Sequence, residues 1–455
     1  MYDVVIIGGG PGGYVAAIKA AQLGAKVALI EKESLGGICL NHGCIPTKAL
    51  IKSSKVYQTI KDSESFGIIG AQEADFDWQK IIKRKDKIVK QLTNGVAFLL
   101  RKNKVDVYNG YGEIVDNKNV KVGDDILATK NIIIATGAHA IIPPIEGAKE
   151  AYQNKYLLTS KELLNIEKFP DSLTIIGGGV IGIEFATIFN LLGAKVTIIE
   201  MLPSILNNID EEIKTAYTRK LKKDGIEILT NATVTKIDNN KVTYQKDEIE
   251  KEVKSELVLM AVGTQANSKA FEHLNLKMER ANIVTDQYLR TSIEGIYAIG
   301  DVNGKEMLAH VASHEGIIAV HHLLNKETRP MDYGKIPACV YGSPEIAMIG
   351  LTEEEAKAQN LNYKVSKVPL AAIGKALADG EKEGFIKLIV EEQYKEIIGV
   401  HIYAYGATEL ISEYSLAMIA EASAYEISAA IHPHPTLSEL TLEAALGAID
   451  KPIHL

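Results

Sequence analysis

The sequence has 455 residues, 46% hydrophobic and 24% charged, and this ordinary globular composition excludes wholesale disorder, collagen and coiled coil. Three cysteines are too few for a disulfide scaffold, so we expect a reducing compartment, and no apolar run is long enough to span a bilayer. The formal net charge of -8 argues against a general nucleic-acid or anionic-membrane surface, and we expect no signal peptide because the first residues lack basic character.

The chain opens with a predicted buried strand, a glycine-rich turn and a helix. The strand Val4–Ile7 is followed by a G-x-G-x-x-G motif whose glycines are Gly8, Gly10 and Gly13. Such glycines let the backbone approach a pyrophosphate at a helix N-terminus. Glu31 follows the first glycine by 23 residues, the spacing of an acid that accepts hydrogen bonds from a ribose.

Two of the three cysteines, Cys39 and Cys44, come next. They could be buried thiols packed as small hydrophobes, or a redox pair. In an ideal helix their Cα atoms would be roughly 8–9 Å apart, whereas a disulfide needs about 4.4–6.8 Å, so a bridge requires a break that Gly43 could permit. Pro46 suits the first turn of a following helix, which would put Cys44 where the helix dipole and Lys48 favour a thiolate. The remaining cysteine, Cys339, is interpreted as structural.

The middle of the chain repeats the opening. Residues 76–103 have helical spacing, residues 105–135 read as short strands, and Pro143-Pro144 marks a linker. A second strand then leads into a G-x-G-x-x-G motif 169 residues after the first, and Glu200 again follows by 23 residues. Two copies indicate a duplicated fold and two dinucleotides, most simply a flavin and a nicotinamide. A carboxylate at Glu200 would repel a 2′-phosphate, which favours NAD over NADP.

The last third contains a second chemical signal. Strands are predicted at 384–390 and 396–403, and an amphipathic helix over 408–422. The segment from His432 to Glu439 then places two histidines between prolines, and an acid five residues after His434. A rigid His with a carboxylate partner suits a general base, and a surface turn containing His is the alternative. A metal site is disfavoured because no further ligand cluster accompanies the histidines.

These motifs resemble the dihydrolipoamide-oxidising members of the pyridine nucleotide–disulfide oxidoreductase family, over essentially the whole chain. The resemblance implies an α/β fold with two Rossmann-like dinucleotide-binding domains, the NAD domain inserted in the FAD domain, and a C-terminal α+β dimerisation domain. The implied boundaries are 1–143 with 270–332 for FAD, 144–269 for NAD and 333–455 for dimerisation.

The resemblance also implies residue roles. Cys39 resembles the thiol that exchanges with substrate, Cys44 the flavin-side thiol, and His434 the base that Glu439 orients and that reaches the other subunit's cysteines. Implied FAD contacts are Gly8, Gly10, Gly13, Glu31, Lys48, Gly112, Gly137, Asp301, Met307, Ala309 and His310. Implied NAD contacts are Gly177, Gly179, Gly182, Glu184, Glu200 and Gly263. The family often has Gly-Arg-x-Pro-Asn where this chain has Gly263-Thr264-Gln265-Ala266-Asn267, so an arginine on the dinucleotide side is missing.

The implied activity is FAD-dependent oxidation of protein-bound dihydrolipoamide to lipoamide, with reduction of NAD+ through a Cys39–Cys44 disulfide. Expected partners are a second copy of the chain and the lipoyl groups of a 2-oxoacid dehydrogenase or glycine cleavage complex, with no nucleic acid and no membrane. We expect a cytoplasmic protein, or a mitochondrial matrix protein for a mature organellar form. The alternatives are a glutathione or mercuric reductase and a scaffold or redox-sensing module.

Overall fold

A computed structural model describes all residues from 1 to 455. The first third of the chain forms the elements β1 (Tyr2–Ile7), α1 (Pro11–Gln22), β2 (Val27–Glu31), α2 (Gly37–His42), α3 (Cys44–Lys61), α4 (Trp78–Lys102), β3 (Asp106–Asn109), β4 (Gly112–Asp116), β5 (Asn119–Val122), β6 (Asp125–Ile134) and β7 (Ala138–Ala140). Strand β1 is buried on both faces, as its run of Val and Ile predicts for the centre of a parallel sheet.

The first sheet has the strand order β3-β2-β1-β6-β5-β4. Strands β3, β2, β1 and β6 are parallel, whereas β6, β5 and β4 form an antiparallel meander. Because β1 and β2 are parallel neighbours, their carboxyl ends lie at one edge of the sheet. This edge brings the first glycine turn and Glu31 together.

The second glycine motif lies in a separate sheet. The elements of this part are α5 (Ala148–Gln153), β8 (Leu157–Leu158), α6 (Ser160–Leu163), β9 (Ser172–Ile176), α7 (Val180–Leu191), β10 (Lys195–Ile199), α8 (Glu211–Lys223), β11 (Glu227–Leu229), β12 (Thr233–Asp238), β13 (Lys241–Lys246), β14 (Ile249–Lys254), β15 (Leu257–Met260) and β16 (Thr264–Ala266). Five parallel strands have the order β11-β10-β9-β15-β8, and β12, β13 and β14 form an antiparallel meander.

The chain then returns to the first sheet. Its elements are β17 (Met278–Glu279), β18 (Asn282–Ile283), β19 (Ile296–Ala298) and α9 (Ala309–Leu323). Strand β19 pairs with β6 in parallel, and α9 packs along α1. Because β19 joins the first sheet after the second sheet is complete, the second sheet is an insertion between two parts of the first.

The last part of the chain is an antiparallel sheet covered by helices. It contains β20 (Ala338–Val340), β21 (Glu345–Gly350), α10 (Glu353–Ala358), β22 (Tyr363–Pro369), α11 (Gly374–Ala378), β23 (Phe385–Glu391), β24 (Ile397–Ala404), α12 (Ala407–Ile419), α13 (Ala424–Ala429) and α14 (Glu439–Ile449). The strand order is β20-β21-β24-β23-β22. The predicted amphipathic helix is confirmed as α12, which buries Ile411, Tyr414 and Met418 in the core of this sheet.

Helices α3, α4 and α7 pack together between the largest sheets of the three parts of the chain. Trp78 of α4 contacts the rings of Phe169 and Phe189, and its indole N–H donates to the Ile166 carbonyl at 3.0 Å. The strands of the larger sheets fall inside the ranges expected for the three domains, whereas β7 and β16 pair with each other across the FAD and NAD ranges, and the exact boundaries stay a prediction. None of the helices is both long enough and apolar enough to cross a lipid bilayer.

Candidate active site

The first glycine turn joins β1 to α1 and has the geometry of a phosphate-binding turn. Gly8 has a φ of 108°, a left-handed value that favours glycine. A Cβ added at Gly13 would lie 1.8 Å from the Gly8 carbonyl oxygen, so only glycine lets the helix approach the strand this closely. A Cβ added at Gly10 would meet only the Gly37 Cα, at 3.9 Å, which leaves the mouth of the turn accessible.

The second turn, between β9 and α7, has the same construction. Gly177 has a φ of 107°, and a Cβ added at Gly182 would lie 2.1 Å from the Gly177 carbonyl oxygen. Nothing lies within 4 Å of a Cβ added at Gly179, so the backbone there is open to a ligand. Both turns therefore have room for a pyrophosphate at a helix N-terminus.

An acid closes each turn from the end of the next strand. Glu31 accepts the Gly9 N–H at 2.7 Å, and Glu200 accepts the Gly178 N–H at the same distance. The second oxygen of Glu31 accepts the Glu33 N–H at 2.7 Å, and that of Glu200 accepts the Leu202 N–H at 2.8 Å. These contacts hold both carboxylates as acceptors beside the glycines, the arrangement that a ribose diol requires.

The cysteine segment breaks between two helices, as the spacing predicts. Helix α2 ends at His42 and α3 begins at Cys44, with Gly43 between them in a non-helical conformation. Both Cys39 and Cys44 are free thiols here. A hydrogen bond from the Cys39 thiol, aided by the charge of Lys48, lowers the pKa of Cys44. The same hydrogen bond and burial raise the pKa of Cys39, so Cys44 is the thiol that ionises first.

The cysteine segment also lies against the first glycine turn. A Cβ added at Gly37, the first residue of α2, would lie 2.7 Å from the Gly10 Cα, and the Gly36 N–H donates to the Gly9 carbonyl at 2.8 Å. These backbone contacts position the thiols relative to the first dinucleotide turn and not the second.

Lys48 of α3 and Glu184 of α7, predicted to contact different dinucleotides, meet in an ion pair. The Lys48 Nζ donates to the two carboxylate oxygens at 2.9 and 2.8 Å. The Tyr341 N–H donates to Glu184 at 3.2 Å, and the Lys48 Nζ lies 4.4 Å from the centre of the Tyr341 ring. Because the pair bridges α3 and α7, it joins the cysteine helix to the helix that follows the second turn.

Asp301 lies in the loop between β19 and α9. Burial raises the pKa of its carboxyl, and none of its hydrogen bonds involves another side chain. A half-buried acid without a side-chain partner fits a ligand that donates hydroxyl hydrogens, as the ribityl chain of FAD would. The side chain of Glu315 fixes the backbone of this loop: it accepts hydrogen bonds from the Gly300 N–H at 2.6 Å and from the Tyr333 hydroxyl at 2.5 Å.

The remaining residues predicted to contact FAD or NAD lie near the ends of β4, β6 and β15 and at the start of α9. Met307, Ala309 and His310 surround the start of α9, and His310 lies 2.9 Å from the Pro337 carbonyl. Gly112 is the first residue of β4 and packs over Ile7. Gly137 and Gly263 follow β6 and β15, and both have left-handed φ values, of 67° and 126°, with open space where a Cβ would be.

The two histidines of the C-terminal motif have different surroundings. The Nδ1 of His434 lies 2.9 Å from Glu439, the first residue of α14, and 77% of the His434 side chain is exposed. The hydrogen bond from His434 lowers the pKa of Glu439. His432 is buried against Glu413 at 2.9 Å. Neither Cys39 nor Cys44 forms a hydrogen bond with His434 within one chain, and the only side chain that His434 contacts by a hydrogen bond is that of Glu439, through Nδ1.

Sequence analysis missed Tyr341, Glu315 and Tyr333. Each is remote in sequence from the motif that it supports, and a single Tyr or Glu outside a motif gives no signal of function. Cys339 is half-buried, and burial raises its pKa to about 11, as expected for an unreactive thiol.

Comparison with known proteins gives a consistent picture. The family described as pyridine nucleotide-disulphide oxidoreductase matches residues 2–316, and the dimerisation domain of that family matches residues 336–445. A dihydrolipoyl dehydrogenase from Acholeplasma laidlawii is 61% identical over 73% of this chain and 99% of its own length. One from Bacillus subtilis is 44% identical over 100% of this chain and 99% of its own. The HOCl-induced flavoprotein disulfide reductase RclA from Escherichia coli superposes with a TM-score of 0.86 at 30% identity, covering 96% of this chain and 98% of its own.

Proposed function

Since this chain belongs to the pyridine nucleotide-disulphide oxidoreductase family, we propose that it oxidises dihydrolipoyl groups with FAD as cofactor and NAD+ as acceptor. The relatives that it matches along its full length are dihydrolipoyl dehydrogenases. The observation that carries the residue assignment is the contact of the cysteine segment with the first glycine turn, Gly37 against Gly10. It supports FAD at the first turn and NAD at the second.

The cofactor assignments follow from the chemistry of the two sites. FAD would be held by the first turn, Glu31 and Asp301, and NAD by the second turn and Glu200. When bound, the flavin supplies two-electron transfer between the cysteine pair and the nicotinamide. The Lys48–Glu184 pair lies between the cysteine helix and the second turn, so it suits a boundary between the two dinucleotides.

The cysteines would perform the exchange with substrate. In the disulfide form, one substrate thiolate attacks the Cys39 sulfur, the Cys39–Cys44 bond breaks, and Cys44 leaves as a thiolate. The second substrate thiol then attacks the substrate sulfur bonded to Cys39, which closes the lipoyl disulfide and releases the Cys39 thiol. The low pKa of Cys44 supports its role as the leaving group, because a more acidic thiol leaves faster.

His434 would accept the substrate thiol protons, with Glu439 fixing its ring. The matched dimerisation domain supports a homodimer. Because His434 is exposed and does not contact the cysteines of its own chain, we infer that it serves the cysteine pair of the second subunit. The dimer would then be required for turnover.

We infer that the partners are lipoyl groups carried by a 2-oxoacid dehydrogenase or a glycine cleavage assembly, an inference supported by the name dihydrolipoyl dehydrogenase that the relatives carry. We infer the cytoplasm as the compartment, since three cysteines are too few for the disulfide scaffold that is typical of secreted proteins.

The deciding experiment is a paired steady-state assay on purified FAD-loaded protein. One arm contains dihydrolipoamide and NAD+, and the other contains oxidised glutathione and NADPH. We expect turnover in the first arm alone. Turnover only in the second would reassign the substrate and the dinucleotide, and silence in both would favour a scaffold or redox-sensing role.

A further inference from the structure

A fully buried lysine lies where the second dinucleotide-binding fold meets the C-terminal sheet. Lys387 is in the middle of β23 and has no exposed surface. Its Nζ donates to Asp210 at 2.9 Å, and Asp210 is also fully buried and belongs to the other fold. A buried charge of this kind is stable only with close partners, so each of these residues depends on the other.

Two further carboxylates complete the cluster. Glu212, in the first turn of α8, lies 3.2 Å from the Lys387 Nζ, and Glu353 of α10 lies at 2.5 Å. Hydrogen bonds to three acids raise the pKa of Lys387, and the hydrogen bond and charge of Lys387 lower the pKa of Asp210, so both remain charged. The cluster joins elements from both sides of the junction. Asp210 and Glu212 lie at the N-terminal end of α8, whereas Lys387 and Glu353 belong to the C-terminal part.

Asp210 also ends the segment that forms one wall of the second dinucleotide site. This segment starts at Glu200, and its Leu206 N–H donates to the Gly178 carbonyl at 3.0 Å. The side chain of Ile205 packs against Gly178, where an added Cβ would lie 2.6 Å from it. The segment thus contacts both the glycine turn and the ribose acid, and Asp210 caps the following helix by accepting the Glu212 N–H at 3.1 Å.

The segment needs its anchors because its backbone is strained. Leu206 has a φ of 50°, a left-handed value that is rare for leucine. Strained conformations persist where the surrounding structure holds them. One end is held by the hydrogen bonds of Glu200 to Gly178 and Leu202, and the other end by the Asp210–Lys387 pair.

We propose that Lys387, remote in sequence from both glycine motifs, is a positioning residue for nicotinamide dinucleotide binding: it anchors the 200–210 segment to the C-terminal domain. Without the anchor, the segment relaxes, and Glu200 and the backbone of Gly178 lose their alignment. The inference rests on the proposed assignment of NAD to the second turn. The FAD side and the cysteines lie outside the cluster, so their functions do not depend on it.

The test uses full-length, FAD-loaded dimer carrying Lys387→Met. We expect the Kd for NADH, measured by titration calorimetry, and the KM for NAD+ to rise about tenfold, a typical effect for a residue that couples two regions. FAD content and the KM for dihydrolipoamide should stay at the wild-type values. A purely structural role would lower stability and FAD content without this selective loss of NADH affinity.

Two more variants keep the test decisive. Asp210→Asn retains a cap for α8 but removes the charge, so we expect a rise in the NADH Kd even if Lys387→Met fails to fold. Lys367→Met is the matched control, because Lys367 also pairs with Glu212 but is 45% exposed, and it should bind NADH normally. Wild-type NADH affinity in Asp210→Asn or in folded Lys387→Met would overturn the proposal, as would an equal loss in Lys367→Met. Absence of NADH binding to the wild-type enzyme would instead contradict the proposed function.

Discussion

The turn that starts at Gly8 and the turn that starts at Gly177 can be compared residue by residue. Each joins a buried strand to a helix of 12 residues, and each has an acid that accepts the N–H of the residue after the first glycine, Gly9 or Gly178, at 2.7 Å. A Cβ added to the first glycine would lie 2.2 Å from the Ala135 oxygen in one turn and 2.3 Å from the Ala261 oxygen in the other. The local sequence therefore builds the same backbone twice.

The two turns differ in what covers them. At Gly12, an added Cβ would lie 3.0 Å from the Ala312 carbonyl of α9, and at Gly316 an added Cβ would lie 2.8 Å from the Gly12 oxygen. The residue equivalent to Gly12 in the second turn is Ile181, which is 41% exposed, and its neighbour Val180 is 40% exposed. A loop segment packs on each turn, the cysteine segment on the first and residues 200–210 on the second, but α9 covers only the first turn, and Ile181 of the second stays exposed.

This difference fits the separate tasks of the two dinucleotides. A resident cofactor is retained when distant segments of the chain close around it. A dinucleotide that must leave after each turnover needs an accessible site. The same motif thus retains a dinucleotide or lets it exchange, depending on the elements that pack on it. Four predictions test this interpretation.

The largest effect on turnover is expected from a change in the cysteine pair, which lies beside the first turn. Cys44→Ser removes the thiol that leaves during exchange, so dihydrolipoamide turnover should fall by at least about a thousandfold. FAD content and the Kd for NADH should be unchanged, because neither glycine turn is altered. Cys339→Ser is the control and should retain activity. Normal turnover by Cys44→Ser would remove the assignment of this cysteine.

The next effect separates the two turns. Gly13→Ala and Gly182→Ala each force a Cβ against a backbone oxygen, at 1.8 and 2.1 Å, so each should lose binding at its own site. We expect Gly13→Ala to lose FAD, with destabilisation of about 3 kcal/mol or more. Gly182→Ala should keep FAD and lose NADH affinity. Flavin absorbance per protein and NADH titration measure both, and loss of FAD from Gly182→Ala alone would reverse the assignment.

A smaller effect is expected from the ribose acid of the open turn. Glu200→Gln keeps an acceptor but removes the charge, so the KM for NAD+ should rise about tenfold. The preference for NADH over NADPH should narrow, because repulsion of a 2′-phosphate is lost. The matched variant Glu31→Gln should weaken FAD retention without changing the preference for NADH over NADPH. If the ratio of kcat/KM for NADH to that for NADPH is unchanged in Glu200→Gln, Glu200 has no role in selecting between the two dinucleotides.

The smallest effect concerns the exposed residue of the open turn. Ile181→Ala should change the free energy of unfolding by less than about 0.5 kcal/mol, because the Ile181 side chain is 41% exposed. Gly12→Ala, at the equivalent position of the first turn, should cost more, since α9 must move to admit the Cβ. Denaturant unfolding of the two variants gives the comparison. Equal losses would show that the second turn is covered as tightly as the first.

Much of the site was predictable because its parts are local. The glycine spacing, the acid at 23 residues, the helix break at Gly43 and the His434–Glu439 pair each depend on neighbours within one βαβ unit or one turn. The Lys48–Glu184 pair was not predictable as a contact, because the two residues are 136 positions apart and were expected to contact different dinucleotides. Each had the right residue type, but only packing of α3 on α7 joins them.

The sequence by itself determined the repeated turns and the residues with reactive side chains, because short-range sterics and hydrophobic periodicity specify these features, and the order of the sheets was implied by the family resemblance. Only the tertiary structure decided which turn is enclosed, which acid lies unpaired at Asp301, and how Lys387 ties the second fold to the C-terminal sheet. The covering of the first turn by α9 and the Asp210–Lys387 pair are contacts between segments more than 100 residues apart, and no local pattern encodes the burial and charge that such contacts create.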